Sequence, residues 1–316
     1  MRRAALIYNP ASGQGSMGRR AAIDQALAIL REAGVEAEAL ETSAPGSAGV
    51  LAEEAMRRGC DTILACGGDG TVHEVLQSLV GTNVALGVVP LGTANALASN
   101  LSLRSSPAKT VRKLLAADPV RVSVGQISYR GAKGSTYSRY FTVAAGVGAD
   151  ALFLSRLDPS LKRRLGYLLY LIEGFRVWAT HSFPLFQATF VERASDQPRV
   201  EHISQLLAVR IRDFGGVLHN FAPGATLHNN GLRLIVFKTR SRLSYFRFLM
   251  AAMFGRQRFT REIELLDAVS VECRPSNGSL VRVFAEADGE LLGGLPVRIE
   301  IVPDAVTLLI PPGARP

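Results

Sequence analysis

Through the first third of the chain, short apolar runs alternate with segments whose apolar positions recur at helical spacing. Residues 4–8 (AALIY) predict a strand, 18–33 a helix ended by Gly34, and 35–42 (VEAEALET) a second strand. Helical spacing over 46–58 precedes a buried strand at 61–66 (DTILAC); a helix over 71–80 closes at Gly81 before the strand ALGVV (85–89). A further helix is expected within 107–117. Such alternation predicts a parallel sheet covered on both faces. From residue 120 the pattern changes to period two, in RVSVGQISY, SRYFTVAAGV, LFQATFVER, SQLLAVRIR, GLRLIVFK, VSVECR, LVRVFAEAD and VRIEIV. Alternating runs bounded by Gly, Pro, Asn and Asp predict antiparallel strands with one exposed face. Helical spacing returns at 150–179 and 242–255. The expected fold is an α/β half followed by a β-rich half, divided near residue 120.

Several early strands deliver the chain to a glycine-containing turn. YNPASGQGSMGRR (8–20) contains Gly13-x-Gly15-x-x-Gly18, the spacing of a dinucleotide fingerprint. In a Rossmann site the first glycine directly follows the strand. Here Asn9-Pro10-Ala11-Ser12 intervene, while Glu38 or Glu41 stands where an acidic ribose partner would. From this segment alone a Rossmann loop, another phosphate loop and a plain turn stay open. CGGDGTVHEV (66–75) is more specific. Gly67, Gly68 and Gly70 let backbone amides converge on an anion, and the helix that follows adds partial positive charge. Thr71 is placed to cap that helix or to donate to a phosphate oxygen. Asp69 suggests a bridging Mg²⁺, because a carboxylate otherwise repels phosphate. An Asx-turn with an N-cap is the structural counterpart. PLGTANALASN (90–100) sets Gly92, Thr93 and Asn95 after another strand, to serve a nucleotide or to cap a helix. FAEADGELLGG (284–294) places Asp288-Gly289-Glu290 at a strand end. That is either a hairpin turn or a carboxylate pair, one member taking a proton from a hydroxyl.

Composition narrows the partners. The 316 residues are 47% hydrophobic and 20% charged, enough for two domains with their own cores. A net charge of +9 implies an acidic partner: nucleic acid, nucleotide or an anionic membrane surface. Cys60, Cys66 and Cys273 are odd in number and lack CxxC spacing, which argues against a disulfide framework or zinc site and fits a reducing cytoplasm. No uncharged run approaches the length of a membrane span, and the N-terminus lacks signal-peptide features.

Four motifs in order then carry a resemblance: Asn9-Pro10-x-Ser12-Gly13, Gly67-Gly68-Asp69-Gly70-Thr71 with Glu74, Gly92-Thr93-x-Asn95, and Asp288-Gly289-Glu290. This set resembles the catalytic domain of the diacylglycerol kinase superfamily, which includes sphingosine, ceramide and bacterial lipid kinases. The resemblance spans almost the whole chain, including VTLLIP (306–311). It implies a NAD kinase/diacylglycerol kinase-like fold: an α/β ATP-binding domain with a parallel sheet flanked by helices over 1–120, and a β-sandwich lipid-binding domain over 121–302. The strand within 303–316 is expected to return to the first domain, and the active site to lie in the cleft.

ATP and Mg²⁺ are the implied cofactors. The phosphates are expected against Asn9, Pro10, Ser12, Gly13, Gly67, Gly68, Gly70 and Thr71, with Glu74, Gly92, Thr93 and Asn95 completing the nucleotide region. By the same analogy Asp288 is the general base, Asp69 and Glu290 join it in catalysis, and Asp69 and Glu290 are the metal ligands. The implied partner is a lipid substrate at an anionic membrane surface and not nucleic acid; a homodimer is compatible, and the expected location is cytoplasmic with peripheral membrane association.

Two features depart from the family pattern. The segment 212–237 resembles one that ends in Asp-Asp-Gly-x-Leu-Asp, but Asn229-Asn230-Gly231-Leu232-Arg233 stands here. The structural Mg²⁺ that some bacterial members bind there loses its carboxylates. His73 occupies a position where many bacterial relatives carry Asn, and reads as a helix-face residue or a hydrogen-bonding partner rather than a catalyst. For the membrane, LKRRLGYLLYLIEGFRVW (161–178) and RLSYFRFLMAAMFGRQRF (242–259) each combine arginine with aromatic and aliphatic residues, as an interfacial helix or a core helix with a wet arginine face would. The rival functional readings are a soluble NAD kinase and a non-catalytic lipid-binding protein that keeps the fold.

Overall fold

The structure is a computed structural model that describes residues 1–10, 16–131, 134–156, 176, 178–193, 197–214, 221–276 and 281–314. The first half follows the expected alternation: β1 (Arg3–Tyr8), α1 (Ser16–Glu32), β2 (Glu36–Glu41), α2 (Ser47–Arg57), β3 (Thr62–Gly67), α3 (Asp69–Leu79) and β4 (Ala85–Pro90). Two short helices, α4 (Ala96–Asn100) and α5 (Pro107–Leu115), follow. The four strands run parallel in the order β2-β1-β3-β4. Ala4–Ile7 and Ile63–Cys66 are wholly buried, as strands covered by helices on both faces must be.

The second half contains β5 (Asp118–Arg130), β6 (Thr136–Phe141), β7 (Ala144–Val147), α6 (Ala149–Arg156), β8 (Phe186–Glu192), β9 (Arg199–Ile203), β10 (Gln205–Val209) and β11 (Leu232–Phe237). After these come α7 (Arg242–Met253), β12 (Ile263–Pro275), β13 (Phe284–Ala287), β14 (Glu290–Gly294) and β15 (Val297–Ile310). All strand pairs within this half are antiparallel. Their inward side chains, among them Phe141, Phe186, Phe190, Leu234, Val271 and Ile299, form a second core.

Two differences from the sequence pattern matter. SRYFTVAAGV, expected as one strand, breaks at Thr142–Val143 into β6 and β7, and that corner becomes part of the site. Conversely, VRIEIV and VTLLIP merge into the single strand β15 despite Pro303. A register shift between Val302 and Val306 against β5, with Asp304 at φ 45°, absorbs the residue that cannot donate to the ladder. Beyond this bulge β15 pairs in parallel with β4, Thr307 opposite Ala85 and Leu308 opposite Leu86. The returning strand therefore joins both halves into one continuous sheet of 15 strands. Among the described residues no helix is long and apolar enough to cross a membrane.

Candidate active site

The loops after β3 and β4 lean on one another. Gly68 and Gly92 cross so closely that a Cβ on residue 92 would lie 2.5 Å from the Gly68 Cα. A Cβ on residue 67 would meet the Thr71 hydroxyl at 2.3 Å. Glycine is required at both positions by the approach itself. Asp69 fastens the crossing: its Oδ2 accepts from the Asn95 amide at 2.9 Å and its Oδ1 from the Ala96 amide at 2.7 Å. Asn95, in the left-handed region at φ 48°, closes its own turn. Its Oδ1 accepts from the Gly92 amide at 3.1 Å, and its Nδ2 donates to the Gly92 carbonyl at 2.8 Å.

These bonds bear on three expectations. Asp69, expected as a metal ligand and catalyst, caps the start of α4, and burial pushes its carboxyl above the usual range despite the two amides. Asn95 is committed to its turn. Thr71 lies inside α3, not at its cap, because the helix starts at Asp69 with Gly68 as N-cap. Among the described residues no side chain caps α3. A helix start of that kind offers its first-turn amides to an external acceptor. Gly70 and Thr93 are exposed beside it, and open space surrounds the Gly70 Cα.

The loop after β1 is the third wall. The Asn9 amide donates to the Cys66 carbonyl at 3.4 Å, which places Asn9 and Pro10 next to the end of β3. Ser12 and Gly13 lie outside the described residues. Arg19 is buried and its guanidinium donates to the Pro10 carbonyl, so it shapes this loop. Arg20 turns to the Tyr8 hydroxyl and Glu41. Glu74, expected at the nucleotide, instead caps α2: its Oε1 accepts from the Gly46 amide at 2.8 Å and its Oε2 from the Ala48 amide at 3.0 Å. Its place next to the glycine loop is sequential, and its carboxylate points to the neighbouring helix.

Asp288 arrives from the other half, at the turn between β13 and β14. It adopts φ 47°, a strained value for any residue with a Cβ. The turn inserts its carboxylate into the β6–β7 corner. Oδ1 accepts from the amides of Val143 (2.9 Å) and Ala144 (3.0 Å), and Oδ2 from that of Thr142 (3.0 Å). The Asp288 amide returns a bond to the Ala144 carbonyl at 2.8 Å. Facing Oδ2 at 3.5 Å is Nδ1 of His73, and Nε2 of the same ring lies 3.5 Å from Oε2 of Glu290. The Asp288 side chain is 4% exposed and that of Glu290 42%. Burial alone would lower the His73 pKa, but the bond and charge of Asp288, with Glu290 behind, hold it above the usual histidine value.

His73 is thus the hinge of the site, and motif spacing alone assigned it a lesser part. It sits one turn beyond Asp69 on α3, and one turn further Gln77 clamps the same corner. Gln77 donates to the Tyr140 carbonyl and accepts from the Tyr140 amide, each at 2.9 Å. A single helix therefore carries the open amide cluster at its start and the groups that grip the second half along its side.

Two buried charge centres support this arrangement. Glu286, two residues before Asp288, accepts from the Gly289 amide at 2.9 Å and so braces the turn. Asp150 on α6 converges on the same spot: a Cβ on Gly146 would meet Asp150 Oδ2 at 1.5 Å and Glu286 Oε1 at 2.9 Å. Burial raises both carboxyls, Asp150 to about 7 and Glu286 well above its ordinary value, and the charge of Asp150 further opposes ionisation of Glu286. Elsewhere, Arg210 is wholly buried and donates to the carbonyls of Gly231, Ser123 (3.1 Å), Leu227 (3.1 Å) and Asn229 (2.9 Å). In the segment where Asn229-Asn230 replaces the family's carboxylates, a guanidinium gathers the loop carbonyls, and burial lowers its pKa to about 10.

Among the described residues no group of three or more His, Cys, Asp or Glu side chains could hold a metal. Each oxygen of Asp69 accepts one amide. Exposed Glu290 suits a Mg²⁺ that arrives on nucleotide phosphates and takes one protein carboxylate, the usual manner for this ion.

Two family models match the chain. Residues 3–127 match the family model described as the diacylglycerol kinase catalytic domain, and residues 142–310 that of the YegS C-terminal NAD kinase beta sandwich-like domain. A diacylglycerol kinase of Bacillus subtilis is 29% identical over 304 residues, covering 94% of this chain and 92% of the relative. A Citrobacter koseri protein named "Probable lipid kinase YegS-like" is 26% identical over 294 residues, covering 91% and 90%. Among solved structures, a diacylglycerol kinase from Bacillus anthracis superposes with a TM-score of 0.70 at 18% identity, over 99% of this chain and 98% of that one. Yeast NADH kinase reaches 0.52 at 10% identity, over 98% and 83%; both likenesses concern the fold.

Proposed function

Because the chain belongs to the diacylglycerol kinase family of lipid-phosphorylating enzymes, we propose that it transfers the γ-phosphoryl group of ATP, with Mg²⁺, to a hydroxyl of a membrane lipid such as diacylglycerol or a long-chain base. The observation that carries this reading is the bridge formed by α3. The uncapped start of that helix offers amides to phosphate, and His73 on its side faces Asp288 and Glu290 on the opposing hairpin. Nucleotide and acceptor would then meet in the cleft between the halves.

The phosphate cradle comprises the α3 amides, Gly68, Gly70 and Thr93, with Asn9 and Pro10 on the β1 side. Bound Mg²⁺ would neutralise developing charge on the transferred group, held on the protein side by Glu290. The acceptor oxygen attacks phosphorus, the bond to the ADP oxygen breaks, and the hydroxyl proton passes to the Asp288–His73 pair. Asp288 accepts three amides and keeps one of about four acceptor sites for that proton, with the His73 ring beside it at 3.5 Å. Preorganised amides and positioning supply most of the acceleration in such a transfer.

Radiolabelled ATP incubated with mixed lipid vesicles and resolved by thin-layer chromatography tests the reading. Label in a lipid band that requires Mg²⁺ supports it. Label in NADP instead would replace it with the NAD kinase reading, and ATP binding without transfer with the non-catalytic one.

A further inference from the structure

Helix α7 is apolar on two opposite faces, and among the described residues only one of them packs on the sheet. At 100° per residue, Tyr245, Phe248 and Ala252 point to the sheet, where Phe237 stacks on Tyr245 (ring centroids 4.6 Å apart) and meets Phe248 edge-on at 5.3 Å. The other face presents Leu243 (62% exposed), Phe246 (44%) and Leu249 (49%), with Phe254 (71%) just past the helix end. Large apolar side chains gathered this way on a soluble surface mark a contact site. Trp178 extends the patch: its ring lies 5.6 Å from that of Phe246, and its Nε1 donates to the Arg242 carbonyl at 2.8 Å.

Charge indicates the occupant. Beside the patch a surface cavity of about 620 Å³ is lined by Arg247, Arg256, Arg258 and Arg261, with Phe248 and Ile263 at its base. All four arginines are exposed, and among the described residues none forms an ion pair. Arg240 and Arg242, in contrast, are anchored to the carbonyls of Ser182 and His181. The one carboxylate at the cavity, Glu262, accepts from the Ser244 hydroxyl at 2.8 Å. Four unpaired guanidiniums around a dry stripe disfavour a second copy of this chain, since a two-fold contact would set like charges against each other. They suit phosphate oxygens, which arginine binds in pairs.

We propose that the outer face of α7 seats on an anionic bilayer, Leu243, Phe246, Leu249 and Phe254 entering the headgroup–acyl boundary while the arginine-lined cavity takes the phosphate of an anionic phospholipid headgroup. This site rests on the lipid-kinase reading for its purpose, and its residues are not those of the proposed catalytic site. It gives the enzyme a means of staying at the surface that holds its acceptor, by the combination of apolar insertion and electrostatic attraction that interfacial helices use.

Sedimentation with vesicles decides it. The wild-type protein is expected to bind vesicles of equal parts phosphatidylcholine and phosphatidylglycerol, with affinity that falls as salt rises, and to bind pure phosphatidylcholine weakly. The triple variant Phe246→Ser/Leu249→Ser/Phe254→Ser should lose about tenfold or more in vesicle affinity. The variant Arg256→Gln/Arg258→Gln/Arg261→Gln should lose the salt dependence as well. Both should keep wild-type turnover on a short-chain diacylglycerol in solution and lose it on the same lipid embedded in vesicles. Wild-type vesicle binding by both variants would overturn the proposal, as would conversion of a dimer to a monomer by the apolar variant. Binding of inorganic phosphate with no vesicle dependence would overturn it too. Absence of turnover on the soluble acceptor in every protein would instead defeat the kinase reading, while the vesicle measurement still decides the surface.

Discussion

Nδ1 of His73 lies 3.5 Å from Oδ2 of Asp288, although 215 residues separate them, and both side chains are almost wholly buried. The contact ties α3, which begins at the glycine loop, to the turn that carries the candidate base. Because the folded-state pKa of His73 is raised above the ordinary value of 6.5, its stabilising effect is full below pH 6.5 and is lost as pH rises through the folded value. His73→Asn should therefore lower Tm most at pH 6 and progressively less toward pH 9. Thermal melts of both proteins across that range measure it; a difference independent of pH would mean that the ring acts by packing alone.

Asp288→Asn should retain nucleotide binding and lose turnover by about a hundredfold or more, as removal of a positioned base does. It should also lower Tm. The three amides of Thr142, Val143 and Ala144 all donate to this side chain, and an asparagine NH₂ cannot accept from them. Calorimetric ATP binding alongside turnover and melting separates these effects; near-normal turnover would remove Asp288 from the acid–base role.

Asp150 and Glu286 predict a stability that declines as pH rises from the ordinary carboxylate range toward neutrality. The Asp150 carboxyl titrates at about 7 in the folded chain against 3.8 as its ordinary value. Its contribution is complete below pH 3.8 and lost as pH rises through about 7. Asp150→Asn should raise Tm above that of the wild type at pH 8.5 and change it little, or lower it, at pH 4.5. The reverse order would show that Asp150 is ionised and paired in the fold.

Two glycine substitutions should separate folding from nucleotide binding. Gly92→Ala drives a methyl against the Gly68 backbone and should cost about 2 kcal/mol together with ATP affinity. Gly70→Ala meets no atom within 4 Å, so Tm should hold while the ATP KM rises from obstruction of the phosphate approach. Equal effects on Tm would indicate that the two loops do not cross as described.

Arg210→Met should cost about 3 kcal/mol or more, because the carbonyls of Gly231, Ser123, Leu227 and Asn229 lose a common donor in the interior. Added Mg²⁺ should not restore the loss, and EDTA should leave the wild-type Tm unchanged. A drop in Tm on chelation would show that a metal, and not only the guanidinium, holds this loop.

Much of this protein was legible in its sequence because its signals are local. Periodicity of apolar positions located β1 to β4 and α1 to α3, since burial on two faces or one leaves a short-range imprint on the chain. The glycines at 67, 68 and 92 read as loops open to an anion, and in the fold Gly68 and Gly92 also cross one another closely. What they could not reveal was the destination of the polar groups between them. Asp69, Glu74 and Asn95 stand in or beside the motifs, yet their oxygens serve the amides of α4, α2 and the Gly92 turn.

By itself, then, the sequence determined the two textures of the chain, its basic charge and the order of the motifs that mark its family. The tertiary structure decided which of those residues remain available for chemistry. It brought His73 to Asp288 and Glu290, set Asp150 against Glu286, and placed Arg210 among four carbonyls. It also ran β15 through both halves as one strand. Each of these joins partners distant in the chain, and a buried polar group takes whichever partner folding brings within hydrogen-bond reach. No local pattern records that choice.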